Sequence, residues 1–287
     1  MSAGYHAAVG PTSTFPEGGG GPLAGWRVLV TRPEEQAGAL ADALAAEGAV
    51  AIVYPTIALA PPPSWDAFDA AVADLTAYDW IVFTSPSAVR FAVGRRAELA
   101  RDLAARAGAG PAAPGAPAPQ RPRVAAVGAE TARALGAVGI DVALVPEDQR
   151  QEGLVAALAS VPAGARILFP QALGGRELLP EALSSRGVQV QVVPVSQTRP
   201  LPLAIAPPPF DVAIFASPSA LKAFLAGAAA GPAALSGKVV AVIGPTTEAA
   251  ARASGIAVDV IPPVPSVSAL VAALVAHRRS DLTQSEG

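Results

Sequence analysis

Short runs of consecutive apolar residues alternate along this chain with longer stretches in which apolar positions recur every three or four residues. The first run is "RVLVT" (Arg27–Thr31), followed by a helical pattern over about Glu34–Glu47, then "VAIVYP" (Val50–Pro55). A helix near Trp65–Leu75 precedes "WIVFTS" (Trp80–Ser85). A helix from about Ser87 precedes "RVAAVG" (Arg123–Gly128), a helix through Leu135 precedes "DVALVP" (Asp141–Pro146), and another covers Gly153–Ala159. The order then begins again. "RILFP" (Arg166–Pro170) leads into the helix of "GRELLPEALSSRG" and a strand with its core at Gln191–Val195. "DVAIFAS" (Asp211–Ser217), "VVAVIG" (Val239–Gly244), "VDVIP" (Val258–Pro262) and a helix over Val267–Ala276 follow. Continuously apolar strands are buried on both faces, and their alternation with helices predicts parallel sheets in an α/β fold.

The two halves match element by element. "FTSPSAV" (Phe83–Val89) returns as "FASPSAL" (Phe215–Leu221), each after an apolar run opened by an Asp, Asp79 and Asp211. "VGAETARALGAVGIDVALVP" lies over "IGPTTEAAARASGIAVDVIP". The offset between copies shortens across the Ala/Gly/Pro-rich stretch around residues 105–122, which reads as a disordered surface insertion. Two flavodoxin-like, doubly wound parallel-sheet domains are therefore expected. Ligands of such sheets bind beyond the C-terminal ends of the strands, here in an active-site cleft between the domains.

The repeated motifs sit at those strand ends. Pro86 and Pro218 suit the first turn of a helix, where a missing N–H costs nothing. Ser85, Ser87, Ser217 and Ser219 are N-cap candidates and could do no more than cap. The same geometry binds anions, because a helix N-terminus offers unpaired N–H groups and a partial positive charge. "GAET" (Gly128–Thr131) and "GPTT" (Gly244–Thr247) repeat the device, with a Gly for close approach and hydroxyls from Thr131, Thr246 and Thr247. Neither is a P-loop, and no G-x-G-x-x-G follows the first strand. Arg32 in "VTRP" is either a solvated charge or a carboxylate clamp. Arg176 reads as a helix-surface residue, Tyr54 and Tyr78 as core or edge residues.

Composition removes most other chemistry. The chain of 287 residues is 52% apolar with a net charge of −3, which gives no sign of a nucleic-acid or membrane partner. It has no Cys, and its two His, His6 and His277, lie near the ends, so disulfides, thiolate catalysis, a His-based triad and a metal site are not expected. The first 24 residues lack the pattern of a signal peptide and read as a disordered tail. No apolar run reaches the roughly 18 residues of a membrane span, so a cytoplasmic protein is expected. What remains is a set of anion-receptive helix ends without a strong acid, base or nucleophile.

Together, "WIVFTSPSAV", "VGAETARALGAVG", "ILFPQALGGRELLPEAL", "DVAIFASPSAL" and "VIGPTTEAAARASGI" resemble uroporphyrinogen-III synthases, in order from about Trp26 to Ala276. The resemblance implies a cofactor-independent, monomeric, cyclising hydro-lyase of tetrapyrrole (heme) biosynthesis. Its small-molecule substrate would be hydroxymethylbilane, a polycarboxylate linear tetrapyrrole closed with loss of water and inversion of the last ring. Family site residues carry over as substrate-binding Arg32, Ser85, Ser87, Thr131, Ser217, Ser219, Thr246 and Thr247, with Thr247 also a catalytic candidate. Ser196 stands where the family commonly has a Tyr proposed to help the hydroxyl leave. That departure keeps open a catalytically weak tetrapyrrole-binding or regulatory module of the same fold. The resemblance also implies a crossed domain arrangement. Residues 25–56 and 199–278 form one domain, 57–198 the other, between tails 1–24 and 279–287. The linkers "PTIALAPPP" and "SQTRPLP" would then permit hinge motion.

Overall fold

A computed structural model describes residues 13–14, 20–104, 122–227 and 231–285. In chain order the elements are β1 (Ser13–Thr14), β2 (Arg27–Val30), α1 (Glu34–Ala46), β3 (Val50–Val53), β4 (Ile57–Ala60), α2 (Asp66–Ala73), β5 (Trp80–Phe83), α3 (Pro86–Arg95) and α4 (Ala97–Ala104). Then come β6 (Arg123–Ala126), α5 (Ala129–Gly136), α6 (Gln151–Ala157), β7 (Arg166–Ala172), α7 (Leu178–Ser184) and β8 (Gln189–Pro200). Last are β9 (Val212–Phe215), α8 (Pro218–Gly227), β10 (Val239–Val242), α9 (Pro245–Ala253) and α10 (Val267–Ser285). The chain divides into two compact units. Unit 1 comprises the residues up to Leu59 and those from Thr198 onward, and unit 2 is Ala60–Gln197.

The sheet of unit 1 runs β1-β3-β2-β9-β10, parallel except for the antiparallel edge strand β1. Alternation along each strand sends side chains to opposite faces. Val28, Val30 and Ile214 meet Leu40 and Leu44 of α1 and Leu270 and Leu274 of α10. Leu29, Ala213 and Phe215 meet Leu221 and Phe224 of α8 and Ala251 of α9. Both faces are apolar, which is why these strands read as unbroken apolar runs.

Unit 2 repeats the plan with the order β4-β8-β7-β5-β6. Ile81 and Phe83 pack with Phe68 of α2 and Val89 of α3, whereas Trp80 and Val82 pack with Leu154 of α6 and Leu179 and Leu183 of α7. In each unit one copy of the sequence repeat supplies the first two parallel strands and the other copy the rest. Thus β2 and β3 lie beside β9, and β7 and β8 lie beside β5.

Several expectations change. The fifth strand of each copy is reduced to one bridge, Leu144 to Ala125 and Val260 to Ala241. Pro146 and Pro262 follow two residues later and have no N–H to extend the ladder. The two linkers are not irregular: "IALA" is β4, and β8 continues through "SQTRP" as its neighbour in the sheet. A separate α4 follows α3. Of the segment expected as an N-terminal tail, Ser13–Thr14 pairs with β3 and Leu23 is fully buried, while most of the rest lies outside the described residues. Helix α10 continues to Ser285, beyond the expected start of the C-terminal tail. The Ala/Pro insertion lies outside the described residues, except for Pro122.

The Asp that opens each central strand sets the register. In unit 1 the Asp211 carboxylate accepts the Arg27 backbone N–H at 2.9 Å and the Arg27 guanidinium at 3.0 and 3.1 Å, and Asp211 N–H returns to Arg27 O at 2.9 Å. In unit 2 Asp79 accepts the Arg166 N–H at 2.8 Å and donates its own N–H to Arg166 O. The hydrogen bonds from Arg27 hold the Asp211 carboxyl below the usual carboxylate range. A depressed folded-state pKa stabilises the fold above the unfolded value, about 3.9, and that contribution is lost as pH falls through the folded value. Asp211→Asn should therefore melt below the wild type near pH 7, with the gap closing below about pH 4. A gap unchanged by pH, in thermal melts across that range, would refute this linkage.

Candidate functional site

The predicted residues gather at the C-terminal ends of the strands, in each unit separately. Ser85 caps α3, its Oγ accepting Ala88 N–H at 3.1 Å, and Ser217 does the same for Ala220 N–H at 3.1 Å. The capping expectation is correct for these two. It does not use up the hydroxyl, because an Oγ that accepts still has its O–H to donate. Ser87 is half-buried and Ser219 exposed, each in the first turn of its helix. Gly128 and Gly244 occupy the N-cap positions of α5 and α9 with extended backbones and no side-chain cap. Thr246 is exposed, while Thr131 and Thr247 are buried one turn into their helices. Arg32 is half-buried just beyond β2 and makes a contact within the protein.

Six polar side chains are buried among the described residues: Thr31, Thr56, Thr131, Gln171, Ser196 and Thr247. Two are satisfied internally. Thr31 Oγ1 donates to Ile214 O at 2.7 Å, and Thr56 Oγ1 donates to Ala220 O at 2.9 Å. The side chains of the other four make no hydrogen bond to any described residue. Among the described residues the fully enclosed unpaired side-chain atoms are Gln151 Oε1 and Arg278 Nη1, so the polar atoms of these four, at strand ends and adjoining helix starts, stay open to water or to a bound molecule. Thr131 and Thr247 are equivalent positions of the two copies. Ser196 is 2% exposed, placed opposite Ala172 just past an irregularity in the β7–β8 register.

Sequence reasoning missed Gln171, Thr31, Thr56 and Gln149. Gln149 Oε1 accepts Ala129 N–H at 2.9 Å and so serves the start of α5 from outside the helix. A Cβ on Gly128 would lie 2.5 Å from that oxygen, so the Gln149 side chain passes close to the Gly128 backbone. Nothing short of the folded loop brings Gln149 to "GAET". Arg176 pairs with Glu152 at 2.8 Å on the surface, but it sits in the loop before α7 rather than on a helix. Tyr54 and Tyr78 are buried and donate to Ile205 O and Gln191 Oε1, both at 2.6 Å.

Two depressions of the surface lie elsewhere. One, of about 250 Å³, is lined by Tyr78, Asp79, Trp80, Arg123 and Val161 at the opposite end of the unit 2 strands. A shallower one borders α7. Neither contains a predicted site residue. The polar side chains at the strand ends are the better guide, because a concavity alone has no chemistry and these groups have polar atoms that the chain leaves unused. His277 lies near Trp26, their ring centroids 6.5 Å apart, away from the strand C-termini of unit 1.

The family model described as uroporphyrinogen-III synthase HemD matches residues 38–272. The uroporphyrinogen-III synthase of Chlorobaculum parvum is 31% identical over 245 residues, covering 82% of this chain and 92% of the relative. That of Synechococcus elongatus is 35% identical over 179 residues, 62% of each chain, so the alignment spans less than two thirds of that relative. Among solved structures, uroporphyrinogen-III synthetase from Helicobacter pylori superposes with a TM-score of 0.56 at 18% identity, covering 88% of this chain and 99% of the other. A mutant Thermus thermophilus uroporphyrinogen III synthase gives 0.54 at 18%, covering 89% and 99%. At that identity the structures establish a shared two-domain α/β fold. With the family model spanning most of the chain, the sequence matches carry the assignment further: this chain belongs to the uroporphyrinogen-III synthase family.

Proposed function

We propose that this protein closes hydroxymethylbilane to uroporphyrinogen III, with loss of water and inversion of the last ring. The observation that carries the reading is the set of hydroxyls at the strand ends that the chain itself leaves unused and accessible, repeated in both units as Thr131 and Thr247. Hydroxyls and helix N-termini are suited to carboxylates, and the substrate is rich in them. The bilane is itself reactive and closes without inversion unaided. The protein's task is to hold one conformation and stabilise the charge that develops when the hydroxyl departs. That task needs no nucleophile and no His base.

In this reading Ser85, Ser87, Ser217, Ser219 and Thr246 grip peripheral carboxylates, with Arg32 as the cationic member. Thr131 and Thr247 donate from the buried first turns of α5 and α9. Ser196, at the family Tyr position, hydrogen-bonds the departing hydroxyl rather than protonating it, since an alkyl hydroxyl is a far weaker acid than a phenol. The test is to supply freshly made hydroxymethylbilane, oxidise the products and resolve the porphyrin isomers. Enrichment of the inverted isomer over the spontaneous one is expected. An isomer mixture that stays at the spontaneous ratio, even at high protein concentration, refutes the activity and leaves the binding-module reading.

A further inference from the structure

Gln171 belongs to the same buried, unpaired set as Thr131 and Thr247, and the duplication of the fold gives it a counterpart. Strands β2 and β7 are equivalent. Each opens with an Arg whose N–H goes to the carboxylate of the Asp on the adjacent strand, and whose carbonyl receives that Asp's N–H. Counting equally from Arg27 and Arg166 along "RVLVTR" and "RILFPQ" places Gln171 where unit 1 has Arg32.

Three features surround it. Its side chain is 8% exposed and its amide makes no hydrogen bond within the described residues. The fully enclosed unpaired polar atoms among those residues are Gln151 Oε1 and Arg278 Nη1, so the Gln171 amide keeps an opening to the outside. Second, the β7–β8 register shifts between Gln171 and Ala172. Gln171 faces Pro194, Ala172 faces Ser196, and Leu173 N–H reaches Ser196 O at 2.7 Å. Such irregularities re-aim side chains at the ends of strands. Third, a Cβ on Gly175 would lie 2.5 Å from Gln171 Oε1, so the turn after β7 passes close to the amide.

We propose that Gln171 is a carboxylate-binding residue of unit 2, the neutral counterpart of Arg32. This rests on the tetrapyrrole substrate proposed above. A neutral donor suits a position this buried, where a cation without substrate would be costly.

The experiment compares Gln171→Leu, Gln171→Glu and Gly175→Ala with the wild type, in steady-state kinetics with hydroxymethylbilane and in equilibrium binding of uroporphyrin III followed by its fluorescence. Gln171→Leu should raise KM and the porphyrin Kd about tenfold, the cost of one hydrogen bond to a charged group, with kcat within about threefold. Its Tm should be no lower, since an unpaired amide is removed. Gln171→Glu should raise both constants further, and Gly175→Ala should raise them while leaving the Gln171 chemistry intact. A KM and Kd within twofold of wild type for both Gln171 variants would overturn the proposal. If the wild type makes no inverted isomer, the proposed activity falls, and porphyrin binding alone decides the role of Gln171.

Discussion

Phe215→Ala is expected to destabilise unit 1 by about 3–5 kcal/mol, the usual cost of emptying a buried phenylalanine site. Phe215 is fully buried at the end of β9 and meets Phe224 of α8 edge-on, ring centroids 5.4 Å apart. The backbone turns directly after it into Ser217, so the ring that anchors the core also fixes the strand end on which the proposed grip depends. Urea unfolding followed by far-ultraviolet circular dichroism reads the effect. If the units unfold in separate steps, only one step should move. A loss below about 1 kcal/mol would mean that neighbouring side chains refill the site, contrary to the close packing of a core.

The largest effect on activity is expected from Thr247→Val, which keeps the shape of the side chain and removes its hydroxyl. Thr247 is 3% exposed in the first turn of α9, with no hydrogen bond to its side chain among the described residues. A merely structural Thr there would tolerate Val well, because no internal bond is lost. A donor aimed at charge developing in the substrate should be missed by about 10- to 100-fold in kcat/KM for the inverted isomer. Ser160→Ala, at an exposed position outside every strand end, serves as the control and should stay within about twofold. Equal, small effects of the two substitutions would remove Thr247 from the site.

Much of the fold can be read in the chain because its strands are apolar on both faces and its turns are written twice. Phe83 and Phe215, with the capping serines after them, mark equivalent strand-to-helix junctions without any structure. The elements that escape such reading are held by context rather than by composition. Ile57–Ala60 and the end of β8 look like proline-rich linkers, yet they are strands, because a neighbour supplies the ladder. The edge segments at Leu144 and Val260 carry strand-like sequences but shrink to single bridges where proline ends the pairing. The site divides in the same way. Hydroxyls that follow a repeated motif are visible in sequence. Gln171 is visible only once the hydrogen bonds of Asp79 and Asp211 align the two copies, and Gln149 only once its loop is seen beside α5.

The exchange of strand pairs between the sequence repeats also governs when each unit can exist. Unit 2 is continuous from Ala60 to Gln197, so a ribosome that has released those residues has supplied every strand of its sheet except the last residues of β8, which ends at Pro200. Unit 1 is different. β2 and β3 are made first, but β9, the neighbour of β2, is translated only after the whole of unit 2. The apolar edge of β2 must wait through that interval, a pairing of high contact order that folds slowly and leaves a strand edge exposed to aggregation. Dividing the gene at the boundary of the sequence repeat would leave two fragments, neither holding the strands of one complete sheet.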